Sequence, residues 1–171
     1  EEMKFYVSCP KGMQDLVEKQ IHGAYPGADV REVEEYNIFS EDGKLAFAEL
    51  KLQDASYYPI KTYKELATDP LSQITSALAK MMPGEGAAIQ IIAVPTGGKW
   101  KSAGRKYVSK TKEHELKSEG HSVPDPKKME AIENKTSKPG FEVVVRIMVS
   151  AKTEPEAKVH LDNIKSTFAQ F

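Results

Sequence analysis

Apolar and polar positions change period several times along this chain, and the changes mark its elements. Lys4-Phe5-Tyr6-Val7-Ser8-Cys9 is β-prone and stops at Pro10, which has no amide hydrogen to give a ladder. Met13, Leu16, Val17, Ile21 and Ala24 then recur at helical spacing, and Tyr25-Pro26-Gly27 ends the helix they predict. Strands are expected over residues 30–39 and 45–52, joined by a tight turn at Glu41-Asp42-Gly43-Lys44, where Asp-Gly tolerates positive φ angles. After an irregular connection through Tyr57-Tyr58-Pro59-Ile60, Asp69-Pro70 supplies a cap and a first-turn proline for a second helix. Its apolar face is Leu71, Ile74, Leu78 and Met81, and Pro83-Gly84 stops it. The nearly unbroken apolar run over residues 87–94 predicts a central strand.

Strand, helix, strand, strand, helix, strand is the order of a ferredoxin-like fold, so the expected class is α+β: a βαββαβ sheet with its helices on one face. A polar, basic connection over 96–140 follows, read as part helix and part loop. A fifth strand, with Phe141, Val143, Val145, Ile147 and Val149 on one face, is expected to extend the same sheet, at either edge. A final helix carries a capping box, Thr153 with Glu156, and a stripe of Ala157, Leu161, Ile164, Phe168 and Phe171. The division is one domain over 1–171: a core over 4–95, the connection over 96–140, and a strand-helix extension over 141–171.

Composition alters this picture little. At 171 residues, 40% hydrophobic and 29% charged, the chain is long and apolar enough for one core. No apolar run reaches the roughly 20 residues of a membrane helix. A start at Glu1 rather than Met, and a last apolar stripe still running at Phe171, predict a piece excised from a larger protein. The single cysteine, Cys9, excludes an internal disulfide and fits a reducing, cytoplasmic compartment; it is read as a small packed residue. Charge is uneven: residues 1–95 hold 15 acidic and 9 basic side chains, residues 96–171 hold 10 and 15.

No set of residues makes a catalytic constellation, so no enzyme activity, cofactor or metal is expected. Gly97-Gly98-Lys99-Trp100 lacks both the upstream glycine and the hydroxyl after lysine of a phosphate-binding loop. His114-Glu115 has no histidine four residues on, and His121 lies seven on, beyond Gly120. Neither His22 nor His160 is spaced to activate Cys9, and the carboxylates Glu32, Glu34, Glu35, Glu41 and Asp42 read as a solvated hairpin edge. Two surfaces stay open for binding. Lys99, Lys101, Arg105, Lys106, Lys110 and Lys112, interrupted by Trp100 and Tyr107, offer phosphate contacts and base stacking to a nucleic acid; the alternative is a solvated basic surface with Trp100 anchoring the end of the 87–94 strand. Tyr57, Tyr58 and Tyr63 form either a protein interface or pins for their crossover.

Several phrases are shared with a known group. Phe5-Tyr6-Val7-Ser8-Cys9-Pro10, Gln20-Ile21 to Tyr25-Pro26, Tyr58-Pro59-Ile60-Lys61-Thr62, Asp69-Pro70-Leu71, and Pro83-Gly84-Glu85 leading through Ile89-Gln90-Ile91 to Trp100 resemble the N-terminal region of conjugation-type ATPases, the type IV secretion or DNA-transfer-like ATPases of uncultured bacteria. The likeness covers most of residues 4–100, with a weaker echo in residues 141–149 and the final helix. In such proteins a P-loop core follows this region and a membrane segment often precedes it. The resemblance therefore implies a non-catalytic accessory domain that contacts other subunits or machinery proteins, in the cytoplasm at the inner face of the membrane. It transfers no site residue. A nucleic-acid-binding module on residues 99–117 is the alternative function.

Overall fold

The computed structural model describes residues 3–34, 37, 39, 42–117 and 125–171. The chain divides into two compact units, residues 1–38 and residues 39–171. In the first, a 3-10 turn at Lys11–Met13 leads into α1, Gln14–Ala24, close to where the apolar spacing put it. The strand expected over 4–9 is not formed, and the described part of the one expected over 30–39 carries no strand either. β-propensity is a preference for a pleated, packed surface, which a run of residues does not supply by itself. Of the expected hairpin turn, Asp42 and Gly43 lead directly into the strand that starts at Lys44, while Glu41, like Glu35, lies outside the described residues. Cys9 is half-buried.

The second unit is α+β. Its strands are β1, Lys44–Leu50, β2, Gly86–Pro95, and β3, Phe141–Ala151. Its helices are α2, Pro70–Leu78, α3, Lys99–Lys117, α4, Pro126–Ser137, and α5, Glu154–Thr167. The described sheet has three strands, all antiparallel, in the order β1-β3-β2. That corrects three expectations. Among the described residues the sheet has three strands where a ferredoxin-like βαββαβ sheet has four. The apolar run now in β2 stands at an edge rather than in the centre. The last strand joins the sheet, but between the other two and at neither edge. β3 wins the centre because its last residues are apolar or small on both sides: Ile147, Val149 and Ala151 are buried on one face and Ser150 on the other.

Helix starts follow their sequence signals. Asp69 accepts a hydrogen bond from the Leu71 amide at 3.0 Å, with Pro70 in the first turn of α2. Asp125 and Pro126 repeat the device at α4. Thr153 and Glu156 form the reciprocal capping box of α5. At Met82-Pro83-Gly84-Glu85 the Glu85 amide bonds back to the Met82 carbonyl at 3.0 Å, and Gly84 takes φ 88°, which only glycine adopts without strain. The Glu85 carboxylate, 5% exposed, accepts the Met82 amide at 2.7 Å and meets His160 Nε2 of α5 at 3.2 Å, tying the entry of β2 to the helix.

The main core lies between α5 and one face of the sheet. Ala157, Leu161 and Ile164 pack on Ala46 of β1 and Ile147, Val149 and Ala151 of β3, with Met81, Ala77 and Leu78 closing the side. A fully buried branched side chain contributes roughly 1.5–3 kcal/mol, so this cluster dominates the unit's stability. A second, smaller core joins α3 to α4 through Val108, Met129 and Ile132, with Tyr57, Tyr58 and Tyr107 packed against it. The polar, basic connection over 96–140 thus builds a core of its own. Ile147→Ala is expected to destabilise the unit by about 2–5 kcal/mol in urea unfolding, whereas Phe141→Ala on the same strand, at an exposed position, changes it by less than about 0.5 kcal/mol.

Candidate interaction surfaces

The basic-aromatic segment is one 19-residue helix, α3. Helical periodicity separates its two residue classes. Lys99, Arg105, Lys106, Lys110 and Lys112 are exposed, Lys101 is half-buried with its ammonium 5.7 Å from the Trp100 ring, and Lys112 is paired to Glu133 of α4 at 2.7 Å. Trp100 and Tyr107 turn inward. The Trp100 ring lies against Gly140, where any side chain would run into its Cζ2. Beside it the Thr96 amide donates to the Gly140 carbonyl at 3.2 Å, so the ring closes the end of the β2-β3 ladder. This agrees with the anchoring alternative for Trp100. Its indole Nε1 is buried without a hydrogen-bond partner among the described residues.

Tyr107 belongs to an aromatic cluster that holds the crossover after β1. Its ring stacks on Tyr57 at 5.3 Å and meets Tyr58 edge-on at 5.6 Å, while Tyr57 and Tyr58 lie 4.7 Å apart. Tyr107 beside it, with burial and Tyr57, pushes the Tyr58 phenol well above its ordinary pKa. Tyr57 and Tyr58 are therefore pins, and only Tyr63, 71% exposed, stays available to a partner. Sequence reading missed the residues that complete the clamp. Lys135 of α4 donates to the Ser56 and Tyr58 carbonyls, both at 2.7 Å, and burial there lowers its pKa. Gly104 lets α3 meet the crossover and α4: a Cβ would come within 2.9 Å of Tyr57 and 2.7 Å of Thr136. An open depression of about 560 Å³ beside the start of α3 is lined by Ser56, Thr96, Gly97, Lys99, Trp100 and Ala103.

Larger apolar groups stand exposed on the sheet. On β1 the side chains alternate, so Ala46 and Ala48 face α5 while Leu45 and Phe47 face away, Phe47 being 81% exposed. The Glu49-Arg146 pair, at 3.4 Å, lies beside Phe47 on that outward face. On the α5 side of the sheet the apolar surface runs on past the core to Ile91, Val143 and Phe141, and Ile91 is 66% exposed.

Over residues 1–171 the sequence matches the family described as Domain of unknown function (DUF8128). The chain belongs to that family. No curated protein and no solved structure matches it. In this DUF8128 domain the sites that sequence patterns singled out are thus divided: the lysines remain on the surface, and the aromatics between them are built into packing. No cluster of three or more metal-ligating side chains occurs among the described residues, and His121 lies outside them. No described helix is long and apolar enough to cross a membrane.

Trp100 is the single tryptophan, so its clamp can be watched directly. Gly140→Ala is expected to push the ring outward, shifting tryptophan emission to the red and costing about 1–3 kcal/mol of stability. Unchanged emission and stability in that variant would contradict the packing described for the ring.

Proposed function

We propose that this domain is a non-catalytic assembly module of a conjugation-type transfer ATPase, contacting neighbouring subunits or machinery proteins in the cytoplasm at the inner face of the membrane. The observation that carries the interaction is the outward face of β1. Phe47 and Leu45 hold large apolar side chains in water beside a charged pair, Glu49 and Arg146. Aromatic anchors next to a polar rim are what protein interfaces use, since they release water from much area at little entropy cost. The link to transfer ATPases is supported by the phrases around residues 4–10, 58–62, 69–71 and 83–91. Titration of the purified domain with the P-loop motor of such an ATPase tests it. Phe47→Ser is expected to weaken binding by about 10-fold or more while leaving thermal stability nearly unchanged, because the side chain is outside the core. Equal binding by the variant moves the contact elsewhere, and no binding by either protein defeats the reading.

A second reading follows from α3. Arg105, Lys106 and Lys110 share its exposed side. With Trp100 and Tyr107 packed inside, a nucleic acid would meet this helix through phosphates alone. Binding to labelled DNA is then expected to fall steeply between about 50 and 200 mM salt, to show no base preference, and to vanish when these three residues are neutralised. Absence of binding at the lower salt removes this reading.

A further inference from the structure

The free edge of β2 is chemically prepared for pairing, and its geometry fixes how. In the register of β2 with β3, Thr96 and Gly140 form the next pair, and the Thr96 amide bonds to the Gly140 carbonyl. Hydrogen-bonded pairs alternate along an antiparallel ladder, so the even residues of β2 bond to β3. The odd residues Ala87, Ile89, Ile91 and Ala93 direct their amides and carbonyls away from the sheet. Pro95 falls in the same outward series and can donate nothing. No strand borders that side of β2 among the described residues.

Edge strands are ordinarily blunted by charge, proline or brevity. β1, the other edge, is 7 residues long and carries Lys44 and Glu49. β2 is 10 residues long, has no charged side chain, and keeps its proline at the last position. It is the unprotected edge.

We propose that β2 pairs with β2 of a second copy of this chain, antiparallel, about a two-fold axis at Gln90. Bringing four outward residues into register with themselves leaves little choice. With Gln90 opposite its counterpart, Ala87 pairs with Ala93 and Ile89 with Ile91, and all four residues of each copy bond, giving roughly eight backbone hydrogen bonds. Moving the axis to Ile91 sets Pro95 against Ala87 and loses donors. Moving it to Ile89 calls on Glu85, whose amide already bonds to the Met82 carbonyl. The Gln90 register also covers Ile91, exposed in one copy, with Ile89 of the other on the α5 side of the sheet. An uncharged strand meets its own copy without like-charge repulsion. The product is a continuous six-stranded sheet, β1-β3-β2 followed by its two-fold mate.

This names a partner for the interaction reading above but uses a different surface, so the two can fail separately. The test is cysteine cross-linking of the full chain in a Cys9→Ser background. Directly opposed residues that are not hydrogen-bonded lie about 4.5 Å apart between Cα atoms, which a disulfide spans. Gln90→Cys is expected to cross-link two copies readily on mild oxidation, and Ile92→Cys, which would face Ala88, is not. Sedimentation of the cysteine-free chain is expected to show a concentration-dependent dimer, which Ile91→Pro weakens at least about 10-fold, since that proline removes an outward amide and no bond to β3. Phe47→Ser is expected to leave the dimer intact. A monomer at every concentration, or cross-linking through Ile92→Cys as fast as through Gln90→Cys, overturns the proposal. A monomer that still binds the ATPase motor overturns it and leaves the interaction reading standing.

Discussion

The close seating of α5 on the sheet is the contact on which the rest of the second unit depends. Ala46 and Ala48 of β1, Ala151 of β3 and Ala157 of the helix put small side chains where the layers meet, and Leu161, Ile164, Ile147 and Val149 fill the space this leaves. Interiors pack at crystal-like density, so the small residues are what let the helix approach. They also settle which face of β1 is inside. Turning that strand over would set Phe47 and Leu45 under α5 and leave alanines in water, a larger apolar gain locally but with no room for it.

That constraint explains why apolar surface remains outside. α5 is 14 residues long and covers only the end of the sheet where β3 finishes and β2 begins. Beyond it the same face continues through Ile91, Val143 and Phe141, all of which stand exposed. β1 shows the other consequence, in Phe47. Both surfaces arise from one arrangement, since a sheet covered by a single long helix has more apolar area than the helix can bury. Exposed groups of this size point toward partners more strongly than scattered surface leucines would.

The α3-α4 region solves a different problem. It is too polar to join the main core, so it builds a small one and fastens it to the crossover with Tyr57, Tyr58, Tyr107 and Lys135, and to the end of the sheet with Trp100 over Gly140. Aromatic residues between lysines have two opposite uses, stacking outward on a base or inward on the fold. The 3.6-residue period decides between them here: Gly104, Tyr107, Val108 and Thr111 fall on one side of the helix, and Arg105, Lys106 and Lys110 on the other. The basic surface is real, and its stacking groups are not part of it.

Local signals were legible because their physics is local. The Asp69-Pro70 start, the Thr153-Glu156 box, the Pro83-Gly84 turn and the stripe of α5 each need only neighbouring residues, and each stands where the sequence put it. The apolar run in β2 and the alternation in β3 likewise announced strands. Their places in the sheet could not be read this way. An unbroken apolar strand looks central, yet which strand gains two neighbours depends on what can lie against both of its faces, and β3 has the buried Ser150 and Ala151 where β2 has exposed Ile91 and Val94. The β-prone residues 4–9 show the same limit, because strand formation is decided by residues distant in the chain. Sequence by itself determined the three strands of the second unit, α2 and α5, and the caps of those two helices; tertiary structure decided the order β1-β3-β2, the inward turn of Trp100 and Tyr107, and the exposure of Phe47, since pairing and burial are properties of residues distant in the chain.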